Sequence, residues 1–375
     1  MLRICKSITL PLIYVLGFVI MSFPPAYSQT NPSLCAAYED RFDIAVALDG
    51  KLPDDYSQKE LNLIRTQFNV LTPANCMKMY HIQRRQNMFD FDQADAFVTF
   101  ATTNKQKVLG HCLIWAKDVR TPAWFFKNGD NPPTRELLLK RMQTHIETVV
   151  TRYRGKVPCW DVVNEALAYD ENFIRPSTYL SVIGDDFIAK AFEYAHAADS
   201  EAMLIYNDYN LFFANKQKKL KQLLQYFKDR KVPVHAIGIQ GHFELDKIPY
   251  ENLEATINLI KSFGLKMAVS ELDIDVVLRS RWWADNGKYR EELAKYDPYK
   301  TACPPEILEW QAQEYGKLFA LFSRHADSIH RITFWGLHDG QSWLNNFPWK
   351  RTNHPLLFDR NPEPKPAYHA VLSAR

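Results

Sequence analysis

Closely spaced cysteines, a glycine-rich phosphate loop, long blocks of one charge and a second long apolar run are all missing from these 375 residues. The six cysteines, Cys5, Cys35, Cys76, Cys112, Cys159 and Cys303, show no CxxC spacing, and an odd number remain once Cys5 leaves with an N-terminal leader. That argues against a disulfide framework and a structural zinc site. Cys76, Cys112 and Cys159 lie in or beside strand-like runs and read as small buried apolar residues. A net charge of +3 without like-charge blocks leaves no footprint for nucleic acid or a polybasic membrane contact. The turn AVALDGKLPDD after the first strand-like run has nothing like GxGxxG. A doubly wound nucleotide-binding sheet is therefore the weaker alternative, and no cofactor or metal is expected. With no repeat, low-complexity tract or linker to divide it, the chain requires no second domain.

What is present is aromatic: 13% of the residues, including 9 Trp, and flat apolar faces of this kind stack on ligands. At the N-terminus, Arg3 and Lys6 precede an apolar stretch from Ile8 to Phe23 and then the small residues Ala26 and Ser28. This is the pattern of a secretory signal over residues 1–28. The alternative, a membrane anchor, would need roughly 20 apolar residues. Export makes a secreted or periplasmic location, or the cell surface, the expected destination.

Strand-like runs recur at DIAVAL, FNVLT, KVLGHCLIW, CWDVVNEA, AMLIYNDYN, AIGIQGHF, KMAVSELDI and IHRITFWGLHD, eight in all. Between several of them, apolar residues share one helical face: Leu138, Met142, Ile146 and Val149; Leu220, Leu223, Leu224 and Phe227; Leu253, Ile257 and Ile260. Gly264 stands where the last of these helices should stop. Eight continuous apolar strands alternating with helices predict a single-domain α/β fold, a (β/α)8 TIM barrel over residues 29–375. The polar and aromatic excursion from Leu278 to Pro305 is expected as a loop on the active-site face.

Polar residues stand at the ends of these apolar strands: Asn164 and Glu165, Gln240 and His242, Glu271 and Asp273, Trp335 and His338. A closed barrel gathers such ends at one mouth. Two carboxylates from different strands, Glu165 and Glu271, are the equipment for glycoside hydrolysis, one protonating the leaving oxygen and the other attacking or activating water. Their spacing alone does not decide between retention and inversion. A single such Glu is often only a strand-end carboxylate with a structural partner, and the pair is what carries the reading.

These residues resemble glycoside hydrolase family 10, the retaining β-1,4-xylanases built on a (β/α)8 barrel. WDVVNEA at 160 to 166, IGIQGHF at 237 to 243 and VSELDI at 269 to 274 carry the resemblance, with TFWGLHDGQSWL, PLLFD and KPAY following in order. The resemblance implies Glu165 as general acid/base and Glu271 as nucleophile, with no metal. It further implies that Asn164 binds the sugar 2-hydroxyl, that His242, held by Asp273, orients Glu271, and that Gln240 lies near both carboxylates. VLGHCLIW at 108 to 115 would place His111 and Trp115 around the sugar at the point of cleavage. Asn75 and Lys78 would line a neighbouring sugar site, and Trp335 and Trp343 would form aromatic walls. Asn207 and Tyr209 receive no definite role. The acid/base role requires Glu165 to begin protonated, with a raised pKa.

Four positions depart from the family pattern: Ala74 where Glu is usual, Met79 for Trp, Ala116 for His and Asp118 for Gln. They predict altered demands on the glycone side of the cleft. The expected partner is xylan or xylo-oligosaccharides, acted on by a monomer with no nucleic acid and no membrane span after signal removal. The alternatives are a related glycosidase for a decorated xylan or another β-linked glycan, and a non-catalytic carbohydrate-binding protein on the same barrel.

Overall fold

The computed structural model describes residues Ser33–Arg375. The expected signal over 1–28 lies outside them. The strands are β1 (Asp43–Leu48), β2 (Val70–Pro73), β3 (Lys107–Trp115), β4 (Cys159–Asn164), β5 (Met203–Asp208), β6 (Ala236–Ile239), β7 (His242–Glu244), β8 (Lys266–Asp275) and β9 (Ile329–Phe334). All pairings between them are parallel, in the order β6-β5-β4-β3-β2-β1-β9-β8-β7, and β6 also pairs with β8. That last pairing closes the sheet into a barrel.

Each of the eight apolar runs becomes one stave. The sixth is in two pieces, because the chain breaks after Ile239 and resumes at His242 beyond Gly241, whose φ of +77° suits a residue without Cβ. β7 then pairs His242 with Asp273 across to β8.

The three apolar helix faces lie within helices Arg135–Arg152, Ala214–Asp229 and Tyr250–Ser262, and every residue named for them is buried. Gly264 follows the last at φ +76°. The main core lies between staves and helices. A smaller cluster of Ala45, Val70, Leu109, Cys159, Ile205 and Ala236 fills the barrel itself. Arg331 is also fully buried, its Nε donating to the Thr333 hydroxyl at 3.0 Å. Cys76, Cys112 and Cys159 are buried and unpaired. Among the described residues no helix is long and apolar enough to cross a membrane.

The excursion after β8 forms short helical turns before the helix Pro305–Arg324. It is tied down at its root by Asp275, fully buried, which meets Arg351 at 2.9 Å and Arg279 at 3.4 Å and accepts from Asn353 at 2.7 Å. Burial pushes the Asp275 carboxyl up, but the two guanidinium groups outweigh it and hold it below the usual range.

One close approach fixes β3 against β4. Trp160 is fully buried, and a Cβ on Gly110 would overlap its six-membered ring. Gly110→Ala should therefore lower the unfolding free energy by about 1–3 kcal/mol through overpacking. Urea denaturation measures this, and a wild-type midpoint in the variant would contradict it.

Candidate active site

At the mouth of the barrel, Glu271 on β8 is held on both oxygens. Oε1 accepts from Asn207 Nδ2 at 2.8 Å, and Oε2 lies 3.1 Å from His242 Nε2. The other His242 nitrogen, Nδ1, is 2.9 Å from Asp273 Oδ2. Burial opposes a charge on His242, but Asp273 and Glu271 outweigh it and raise the imidazole to about 9. Near neutral pH both ring nitrogens therefore donate. Trp343 Nε1 donates to the same Asp273 oxygen at 2.8 Å.

Asn207, at the end of β5, is the hub beneath this pair. Its Nδ2 also donates to Asn164 Oδ1 at 3.0 Å, and its Oδ1 accepts from the Ser270 hydroxyl at 2.5 Å. Gly238 on β6 makes room for it, since a Cβ there would overlap the Asn207 amide oxygen.

Glu165 follows β4 in the left-handed region at φ +58°, a conformation that costs a residue with a Cβ on the order of 1–3 kcal/mol. Its backbone is fixed at both ends: the N–H donates to the Asn207 carbonyl at 2.8 Å, and the carbonyl accepts from Arg175 Nε at 3.0 Å. Gln240 Nε2 donates to Glu165 Oε1 at 3.1 Å, while the Gln240 carbonyl accepts the Glu271 N–H at 2.7 Å. Gln240 thus links the Glu165 carboxylate to the Glu271 backbone.

The expectation of a raised Glu165 pKa is corrected here. Burial does push the carboxyl up, but the Lys117 ammonium, 2.8 Å from Oε2, and the Gln240 donor outweigh burial and leave it below its ordinary value. Arg175 adds a second cation at 3.8 Å. The sequence reading took the acid/base role as the constraint and did not include Lys117, two residues beyond Trp115.

Several of the remaining expected residues meet the groups that hold this pair. His111 is buried, with Nδ1 2.8 Å from Asp161 Oδ2 and its ring edge-on to Trp335 at 5.3 Å. A register shift in the β3–β4 pairing follows His111 and Asp161 directly, the kind of irregularity that re-aims side chains beside a site. Trp335 also lies 6.4 Å from the His242 ring, and Trp343 4.8 Å, so both expected wall residues meet the residue that holds Glu271. Lys78 donates to Asn75 Oδ1 at 3.1 Å and sits over the Trp115 ring at 4.8 Å. Burial lowers the Lys78 pKa. His338 is paired with Glu60 at 2.9 Å.

Of the departures, Met79 and Ala116 are buried, and Asp118 accepts from the Thr178 N–H at 2.9 Å and its hydroxyl at 2.7 Å. Lys117, Arg175 and Asp161 are participants that the sequence did not point to, and Asn207 was named without a role. Asn207 had the signal, an Asn at a strand end like Asn164. Among the described residues no group of three or more His, Cys, Asp or Glu is placed to hold a metal ion.

The glycosyl hydrolase family 10 model matches residues 33–374. An endo-1,4-β-xylanase of Geobacillus stearothermophilus is 39% identical over 345 residues, 91% of this chain and 98% of that protein. A β-1,4-xylanase of Dictyoglomus thermophilum is 36% identical over 369 residues, 96% of this chain and 97% of that protein. Among solved structures, a GH10 endoxylanase retrieved from a sugarcane soil metagenome superposes with a TM-score of 0.83 at 36% identity, covering 91% of this chain and 98% of that one. With two glutamates linked through Gln240 at the mouth of a closed parallel barrel and a match that runs nearly its whole described length, the chain belongs to glycosyl hydrolase family 10.

Proposed function

We propose that this glycoside hydrolase is a retaining endo-1,4-β-xylanase, exported by the segment 1–28 and active as a monomer. The observation that carries the reaction is the unlike environment of the carboxylates of two glutamates linked through Gln240. Glu271, gripped by His242 and Asn207, is fixed for attack on the anomeric carbon. Glu165 protonates the departing glycosidic oxygen, and its carboxylate then takes a proton from the water that cleaves the glycosyl ester at Glu271. Asn164, anchored by Asn207, is offered to the sugar 2-hydroxyl. The xylan assignment is supported by what the similar proteins are called and by the aromatic walls of Trp335 and Trp343.

Purified protein should release xylo-oligosaccharides from unbranched xylan and leave cellulose and β-glucan largely intact. Glu271→Ala should lose nearly all turnover. Glu165→Ala should retain hydrolysis of aryl xylosides with good leaving groups, which need no proton, and should be accelerated by azide. Equal turnover of cellulose, or substantial turnover by Glu271→Ala, would count against the reading.

The His242 contacts also set a pH dependence. Its folded value of about 9 lies above the ordinary 6.5. Its contribution to stability is therefore complete below about 6.5 and is lost as pH rises through about 9. Unfolding free energies measured from pH 6 to 10 should fall across that window in the wild type and fall less in His242→Gln. Identical slopes would remove His242 as the source.

A further inference from the structure

Basic side chains on one side of the cleft outnumber the carboxylates available to them. Lys78, Lys117 and Arg120 all lie over the Trp115 indole, at 4.8, 5.5 and 4.8 Å from its centre. Arg175 stands on the other side of Glu165 and bonds the Tyr209 hydroxyl at 2.8 Å. The nearby acids are already engaged. Asp118 receives Thr178, Asp161 holds His111, and Glu271 is taken by Asn207 and His242. Among the described residues Lys117 pairs only with Glu165, Lys78 donates only to the neutral Asn75, and the exposed Arg120 has no carboxylate partner. Lys117 is one-third exposed, so a ligand in the cleft can reach it.

A neutral sugar offers these cations hydroxyls alone, whereas a carboxylate forms shorter and roughly twice stronger charge-assisted bonds with them. We propose that Lys117 and Arg120, beside Trp115, form a binding site for a carboxylate carried by the glycan, a uronic acid substituent, and that its arrival draws Lys117 away from Glu165. The proposal rests on the xylanase reading and names a substrate class for it. It also bears on the proton that Glu165 must carry. The Lys117 ammonium, 2.8 Å from Oε2, favours the ionised form of Glu165 and so opposes its action as an acid. When the substrate carboxylate takes over the ammonium, Glu165 takes up one proton from solvent and can pass it to the glycosidic oxygen. The other groups that feel Glu165 are Arg175, Lys78, Tyr209, Lys216 and Cys112. Of these, Lys216 is fully buried and paired with Asp208, and Cys112 is buried, so neither is displaced by a ligand in the cleft.

The test compares kcat/KM on xylo-oligosaccharides of one length, unsubstituted or carrying a single glucuronic acid, for wild type, Lys117→Met and Arg120→Gln. The wild type should favour the acidic substrate by about tenfold, the scale of one hydrogen bond to a charged group. That preference should collapse in Lys117→Met and shrink in Arg120→Gln, whose exposed position makes misfolding no obstacle. A purely structural Lys117 would not shift a pH profile. Here the basic limb of kcat/KM on the unsubstituted substrate should move to higher pH in Lys117→Met. Free glucuronate added to that substrate should not reproduce the preference, and if it does, a general anion effect replaces recognition of a substituent. Equal kcat/KM on the two substrates, or a preference that survives both substitutions, overturns the proposal while leaving the xylanase reading intact. Hydrolysis of neither substrate would overturn both.

Discussion

The pairing of β6 with β8, Ala236 to Lys266 through Ile239 to Val269, turns an open sheet into a closed barrel, and the site depends on that closure. Glu165 follows β4 and Glu271 lies near the end of β8, two staves that never pair, so only closure brings them to one mouth. β5 and β6 supply the span between them. Asn207 from β5 bonds Glu271 and receives the Glu165 N–H, and Gln240 after β6 bonds Glu165 and receives the Glu271 N–H. The carboxylates are thus held by backbone and side chain together, on rigid staves rather than on loops. Gly238 is part of the same arrangement, since only a residue without Cβ lets Asn207 approach β6 closely enough to act as hub.

Within that frame the two carboxylates differ in their neighbours. Glu271 is approached by donors that are themselves anchored, His242 by Asp273 and Asp273 by Trp343. This geometry keeps a nucleophile oriented without tying it to a lysine on a flexible stem. Glu165 is instead paired with a lysine on a flexible stem, one-third exposed. Such a partner can leave, and the carboxyl's proton affinity changes when it does. An acid/base residue has to hold a proton in the first step and lose it in the second. A displaceable ammonium is one physical means of moving between those states.

Much of the barrel was legible because each stave is buried on both faces and reads as a continuous apolar run, from DIAVAL to IHRITF. The helices were legible where one face repeats, as at Leu138, Met142, Ile146 and Val149. The two-piece sixth stave was not, because Gln240 reads as a polar strand end and only the backbone at Gly241, with its positive φ, shows the strand stopping and resuming. In the site, residues at strand ends could be listed, since the fold converts order along the chain into proximity. The partners that set charge could not. Lys117 and Arg175 lie in loops after β3 and β4, where a basic residue ordinarily reads as a solvated surface group, and the direction of the Glu165 shift depends on Lys117. Asn207 was visible as a strand-end Asn but had no role until its hydrogen bonds to Glu271 and Asn164 fixed one.

The central claim is that Glu271 attacks the sugar while Glu165 handles the proton, and covalent trapping tests it most directly. The protein would be incubated with a 2-deoxy-2-fluoro xylobioside bearing a good leaving group, digested, and its peptides examined by mass spectrometry. The account predicts a single added glycosyl mass on the peptide containing VSELDI, lodged on Glu271, and none in Glu271→Ala. A label on Glu165, or rapid turnover with inverted anomeric configuration and no label at all, would contradict it.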